Sequence, residues 1–268
     1  MKILRVALLG VGLVLVSLAT VQAQPSQPAQ VAPRTVLLPD KPELEPKALD
    51  ILKAASSKLA AARTMTFTAV TTYESAARTL QPLAYMVRSD VALERPNKLR
   101  VITPGDGPAN EFYYDGKQMM AFEPAAGLVA IADAPPTIDE MLRAAYQKAA
   151  ITFPFEDVLL ADPYKGLGPD LKLAFYIGQS RIVSGVLTDM VGLATGLAQG
   201  QVWIGAEDKL PRLIRITYFN EPGNYRHVVE FSNWQLDGAL PPGTFESARA
   251  GAAKRIAFSS PDEKPKQK

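Results

Sequence analysis

His227 is the only imidazole in 268 residues, and cysteine is absent. A Ser–His–acid triad would need His227 as general base and a serine raised on a Gly-x-Ser-x-Gly elbow, and no such elbow occurs. His227 lies in the alternating stretch Arg226–Leu236, where a strand histidine with a satisfied hydrogen bond is the simpler reading. Without cysteine there is no disulfide, thiolate metal site, Cys nucleophile or lipid-modified N-terminal Cys. Asp115-Gly116 lacks the flanking acids of a calcium loop and reads as a turn. Gly166-Leu167-Gly168 lacks the Lys-Ser/Thr of a phosphate loop. Gly192, Gly196 and Gly200 repeat every four residues, but outside a long apolar helix they read as a loose loop. Asp139 and Glu140 are adjacent on one helical turn and point apart, which suits a solvated N-terminal turn better than paired acid–base work. The pattern calls for no metal, no cofactor and no enzymatic step.

Apolar residues remain as candidates. Phe67, Tyr85, Val87, Leu99, Val101, Phe112, Met120 and Phe122 are expected to line the inner face of a sheet, with Met141 and Leu142 facing them from a covering helix. Methionine and aromatic side chains on a concave surface adapt to lipid-like chains. The same residues also fit a solid core in which the helix simply fills the sheet.

The elements that would position them follow from periodicity. At 47% hydrophobic and 21% charged residues, the composition excludes collagen-like, mucin-like and disordered classes. Lys2 and Arg5, then the apolar run Val6–Val16, then Val21-Gln22-Ala23, have the order of a secretory leader cleaved after Ala23. The run of 11 apolar residues is shorter than the ~20 that cross a bilayer. Removing residues 1–23 takes away Lys2 and Arg5, so 29 basic residues become 27 against 27 acidic ones. A neutral chain gives a nucleic-acid partner no electrostatic support.

Residues 24–46 hold six prolines and read as an extended tether that does not fold alone. Pro46 then suits the first turn of an amphipathic helix over 47–63, with Leu49, Leu52, Ala55, Leu59 and Ala62 on one face. The period next drops to two. Strands are expected over 65–73, 83–93, 98–103 and 128–132, with a hairpin over 110–122 around Asp115-Gly116. Thr137 and Glu140 form a capping box for a second helix, whose apolar stripe is Ile138, Met141, Leu142, Ala145 and Ala149. Strands resume over 171–178, 181–187, 201–204, 212–219 and 226–236, with a last edge strand over 251–258 and a solvated tail over 259–268. This order predicts an α+β fold of one domain over 47–258. It is a curved antiparallel sheet, an incomplete barrel, with helices over its concave face.

Several segments in this order resemble domain-of-unknown-function family 2092, predicted periplasmic proteins, within the LolA/LppX-like superfamily. They are Arg95-Pro96-Asn97-Lys98-Leu99, Tyr114-Asp115-Gly116-Lys117, Thr137-Ile138-Asp139-Glu140, Phe153-Pro154-Phe155-Glu156-Asp157-Val158-Leu159 and Asp162-Pro163-Tyr164. Further along come Gln201-Val202-Trp203-Ile204, Leu210-Pro211-Arg212, Phe231-Ser232-Asn233-Trp234 and Gly251–Ile256, so that the resemblance spans roughly 49–258. It implies a LolA-like incomplete barrel with a helical lid and a periplasmic or secreted location. As partner it implies a lipid, acyl chain or lipoprotein moiety held in an apolar cavity. The alternative partner is another envelope protein, met by a sensor or assembly subunit with a solid core.

Overall fold

The computed structural model describes residues 41–77, 81–105, 109–219 and 223–260. The leader expected over 1–23, the tether up to residue 40 and the tail from 261 onward lie outside the described residues. In chain order the elements are β1 (Glu43–Leu44), α1 (Pro46–Ala61), β2 (Thr64–Ser75), β3 (Leu83–Glu94), β4 (Lys98–Thr103), β5 (Asn110–Tyr114), β6 (Gln118–Glu123) and β7 (Leu128–Asp133). There follow α2 (Ile138–Ala149), the short α3 (Pro163–Leu167), β8 (Leu171–Ser180), β9 (Thr188–Thr195), β10 (Ala198–Gly205), β11 (Pro211–Tyr218), β12 (Arg226–Leu236), α4 (Ala248–Ala252) and β13 (Lys254–Ile256).

All the strands join one curved, unclosed sheet in the order β1-β8-β9-β10-β11-β12-β2-β3-β4-β5-β6-β7-β13. Two meanders, β2–β7 and β8–β12, meet where β12 pairs with β2. Hairpin-length connections make the pairings within each meander antiparallel, the long-range pairing of β12 with β2 is antiparallel as well, and only the two at the edges, β1 with β8 and β13 with β7, are parallel. The edge strand expected over 251–258 is shorter, because α4 runs to Ala252 and β13 spans only Lys254–Ile256.

The end of the expected tether pairs after all. Glu43 and Leu44 lie beside Leu173 and Ala174, and the Glu45 carboxylate accepts the Tyr176 N–H at 2.7 Å. An open edge of β8 supplies the partners that this stretch cannot find within itself.

The strand expected over 181–187 is a turn instead, with Ser184 at φ 53° and Gly185 at φ 67°. The glycine repeat expected as a loop is the β9–β10 hairpin. A Cβ on Gly192 would meet the Phe175 ring at 2.4 Å, and one on Gly200 would meet the Arg215 carbonyl oxygen at 2.6 Å. Cross-strand neighbours fill the space that side chains would take, so alternation is blurred where the strand is real. In the β5–β6 hairpin, Gly116 alone takes left-handed backbone (φ 95°), while the Asp115 carboxylate accepts the Lys117 and Gln118 N–H groups, both at 2.8 Å.

Helices α1, α2 and α3 cover one face, the inner one. Helix α1 starts on Pro46 and buries Ala48, Leu52, Ala55 and Leu59. Helix α2 is capped by the Thr137 hydroxyl, which accepts the Glu140 N–H at 3.3 Å and donates to the Glu140 carboxylate at 2.9 Å. It buries Ile138, Met141, Leu142 and Ala145 in the main core with Leu99, Val101 and Phe155.

Candidate functional site

The inner face is divided by a run of aromatic rings. Phe112 meets Phe153 edge-on at 5.2 Å, Phe153 stacks on Phe155 at 5.8 Å, and Phe155 stands at 87° to Phe67, with ring centroids 5.7 Å apart. Phe67 in turn lies 4.4 Å from the Trp234 ring. Such contacts add about 0.5–1.5 kcal/mol each beyond area burial, so this wall is rigid.

Arg95, in the turn between β3 and β4, fixes the segment behind the wall. Its guanidinium donates to the carbonyl oxygens of Leu159 at 3.0 Å and Leu160 at 2.8 Å, and more weakly to Leu59 at 3.5 Å, near the C-terminus of α1. Burial pulls the Arg95 pKa below the usual guanidinium value, and the Asp139 charge opposes that.

On either side of the wall a cleft stays open. The first has a volume of about 320 Å³ and lies between α1, α3 and the inner face of β9, β10 and β11. Leu52 and Leu59 roof it, Leu193, Val202, Ile214 and Ile216 floor it, and Asp157 and Val158 close one side. Its roof is tied down by Ser56, which donates to Asp162 at 3.2 Å and accepts the Tyr164 N–H at 2.9 Å. Helix α3 is thus anchored to α1 by a buried hydroxyl rather than by apolar contact alone.

The second cleft, about 540 Å³, is lined by Val87, Ser89, Thr103, Phe112, Phe153 and Phe155, with Glu111 and Glu123 at its rim. The segment 151–158 contributes to both, through Ile151, Phe153 and Phe155 on one side and Asp157 and Val158 on the other.

Burial raises the pKa of Glu156, and the neighbouring Asp157 charge raises it further; burial alone raises that of Asp157. Asp157 lines the first cleft and keeps its exposure to solvent.

The expected site residues separate into four groups. Phe67, Leu99, Val101, Met141 and Leu142 are buried in the main core, where α2 fills the sheet. Val87 and Phe112 line the second cleft on the inner face. Met120 and Phe122 stand on the opposite, outer face, because Phe112 pairs with Ala121 and leaves the inner positions of β6 to Met119 and Ala121. There they pack under α4 with Val129 and Ala250, although Phe122 also reaches the rim of the second cleft. Tyr85 is 47% exposed and stacks on Tyr73 at 5.6 Å, beyond the reach of the helices.

None of the ten lines the first cleft. The alternation of Leu193, Val202, Ile214 and Ile216 was available in the sequence, but the glycines of β9 and β10 concealed its register. His227 packs edge-on against Tyr218 at 5.4 Å, as a strand ring on the inner face. Among the described residues no group of three or more His, Cys, Asp or Glu is placed to hold a metal ion. No helix among them is long and apolar enough to cross a membrane.

A curved half-barrel with apolar clefts under its helices defines the class, and the family follows from the sequence. Residues 48–259 match the family described as Predicted periplasmic protein (DUF2092), and the chain belongs to that family. No curated protein matches the sequence.

Among solved structures, the chain is similar to that in the complex structure of Pseudomonas aeruginosa MucA/MucB, at 15% identity and a TM-score of 0.45. That match covers 76% of this chain and 62% of the other, so this chain spans less than two thirds of its neighbour's length. It is also similar to LprF from Mycobacterium bovis, at 16% identity and a TM-score of 0.45, over 74% of this chain and 97% of that one. A third similar structure is the LolA superfamily protein NE2245 from Nitrosomonas europaea, at 12% identity and a TM-score of 0.34, over 75% and 97% of the two chains.

Proposed function

We propose that this is an exported binding protein, cleaved after Ala23, that works without catalysis and holds a lipid, an acyl chain or the lipid of a lipoprotein in the first cleft. One observation carries the reading: Leu52, Leu59, Leu193, Val202, Ile214 and Ile216 enclose about 320 Å³ that α1 and α3 leave unfilled. That volume is at the lower end of small-molecule sites, roughly 300–1,000 Å³, and suits a narrow chain. Apolar surface left facing water forgoes about 25 cal/mol per Å², and a bound hydrocarbon recovers it.

Native mass spectrometry of the chain purified from its own periplasm tests the reading. Copurifying lipid and saturable binding of a neutral apolar fluorophore are the expected results. A clean apo mass together with no fluorophore binding at high micromolar concentration would overturn it.

A second reading, an envelope sensor or assembly protein without a small ligand, is favoured by the exposed rings at the uncovered end of the inner face. Tyr73 and Tyr85 stack there, in register with His227 on β12. Crosslinking in intact cells separates the two readings. A carrier gives transient lipoprotein adducts, whereas an assembly subunit gives one dominant protein partner.

A further inference from the structure

Six of the eleven large apolar side chains left exposed among the described residues gather at one end of the sheet: Tyr73, Leu83, Tyr85, Met86, Leu197 and Tyr218. The strand register puts them there. β2, β9 and β11 finish at this end, β3, β10 and β12 start at it, and Tyr73 lies opposite Tyr85. Leu197, at the tip of the β9–β10 turn, is 67% exposed. Apolar groups scattered singly over a surface need no explanation, whereas a cluster of them marks an interaction surface.

The first cleft opens onto this rim, since Leu197, Ala198 and Tyr218 line the cleft as well. The backbone of the tip is also satisfied from within. The Leu197 N–H donates to the Thr195 hydroxyl oxygen at 3.2 Å, and the Ala198 N–H donates to the same oxygen at 3.1 Å. The Leu197 carbonyl accepts the Phe219 N–H at 2.9 Å. A tip that enters hydrocarbon must bring its own hydrogen-bond partners, because no water is there to supply them. A loop that meets another protein has no such need. The side chains suit a bilayer boundary too: phenol rings with an apolar body and a polar end stand beside aliphatic tips. No basic patch accompanies them. Among the described residues between β9 and β3, the charged side chains at this end are Glu74 and Arg226, and Arg226 Nε donates to Glu74 at 2.8 Å. Glu123 stands further round, beside the second cleft.

We propose that this rim docks on a lipid bilayer, with Leu197, Leu83 and Met86 entering the apolar region and the tyrosines at its boundary, so that the mouth of the first cleft faces the lipid. The docking stands on the rim alone; its use as an entry route rests on the reading of the cleft as a site for lipid-like chains. With Glu74 and Arg226 paired, the attachment is apolar rather than electrostatic, and the phospholipid needs no net charge.

The test is co-sedimentation of the chain, purified from its own periplasm, with phosphatidylcholine vesicles, alone and with an equal part of phosphatidylglycerol. Binding to phosphatidylcholine is expected, and the anionic lipid should change the affinity by less than about twofold. Leu197→Ser should weaken binding about tenfold, the worth of one buried leucine side chain, and Leu83→Ser should repeat the effect from another strand. Urea unfolding of both variants should match the unsubstituted chain, because the side chains they remove are exposed. Ile182→Ser is the control. Ile182 is 90% exposed but sits in the β8–β9 turn at the opposite end of the strands, and its loss should leave vesicle binding unchanged. No binding to phosphatidylcholine, binding that appears only with phosphatidylglycerol, or losses no greater at the rim than at Ile182 would overturn the inference. One dominant protein crosslinked to the rim in intact cells would overturn it in favour of that partner. A neutral apolar fluorophore that binds while vesicles do not would remove the rim and leave the cleft. Vesicle binding that Leu197→Ser weakens, without fluorophore binding, would leave the rim and remove the cleft.

Discussion

Leu142→Asp tests whether α2 is part of the core or a cover over a void. Leu142 is 6% exposed and sits beside Met141 in the cluster that also holds Leu99, Val101 and Phe155. Losing a buried leucine of this kind costs about 2–5 kcal/mol. The new carboxyl has no nearby cation in that cluster, so it buries as the acid. Protonating a group of ordinary pKa ~3.9 at pH 7 costs about 4 kcal/mol. The sum, about 6–9 kcal/mol, approaches the whole stability of a typical domain, ~5–15 kcal/mol.

Urea unfolding followed by tryptophan fluorescence reads this directly, because Trp234 packs on Phe67 at 4.4 Å in the same core. The variant is expected to lose stability in one cooperative transition. It should regain about 4 kcal/mol relative to the unsubstituted chain between pH 7 and pH 4, where protonation costs little. If α2 detached while the Trp234 transition stayed in place, with dye binding to the exposed sheet, the helix would be a hinged cover and the packed-core assignment would fail. Unchanged unfolding without dye binding would show that Leu142 is not buried.

Phe155→Ala removes the centre of the aromatic wall and should cost about 3–5 kcal/mol, which at about 2–4 °C per kcal/mol for a domain of this size lowers Tm by about 6–20 °C; a shift under 2 °C would refute the wall. Arg95→Lys should destabilise by about 2–3 kcal/mol, because a point charge cannot serve the Leu159 and Leu160 carbonyls together, and denaturant unfolding at neutral pH checks it. Burial, then the charges of Asp115 and Glu140, push the Tyr114 hydroxyl up to about 12, and it donates to the Pro135 carbonyl at 2.5 Å. Its contribution is therefore complete below the unfolded value of ~10 and lost as the pH rises through about 12. Tyr114→Phe should flatten the alkaline limb of a stability–pH curve, and an unchanged limb would count against this assignment. Burial raises the Asp157 pKa, so the protonated form is the more stable and stability falls as the pH climbs above the unfolded value of ~3.8. Asp157→Asn should accordingly melt higher than the unsubstituted chain at pH 7 and the same at pH 3; a lower melting point at pH 7 would mean that the carboxylate has a partner.

The sequence by itself determined the elements wherever one face is wet and the other dry. Pro46 and the Leu52–Ala55–Leu59 spacing made α1, Thr137 and Glu140 made the start of α2, and alternation made β2, β3, β4, β11 and β12. These are local signals, carried by backbone sterics and side-chain period, and they need no knowledge of what packs where. Residues buried on both sides lose that signal. In β6, Met119-Met120-Ala121-Phe122 is apolar throughout because α4 covers its outer face, so alternation could not say which pair turns inward. In β9 and β10, Gly192 and Gly200 leave room for Phe175 and the Arg215 backbone, contacts that no local pattern announces.

Where the open space lies was likewise a tertiary matter. The residues expected to line a cavity under α2 are largely consumed by it, while the cleft opens under α1 and α3, where helix and sheet stand too far apart for the Leu52 and Leu59 side chains to fill. A void is the difference between two packed surfaces. Its position depends on how far each helix stands from the sheet, and that distance is set by tethers such as Ser56 on Asp162 and Arg95 on Leu159, between residues about 106 and 64 positions apart.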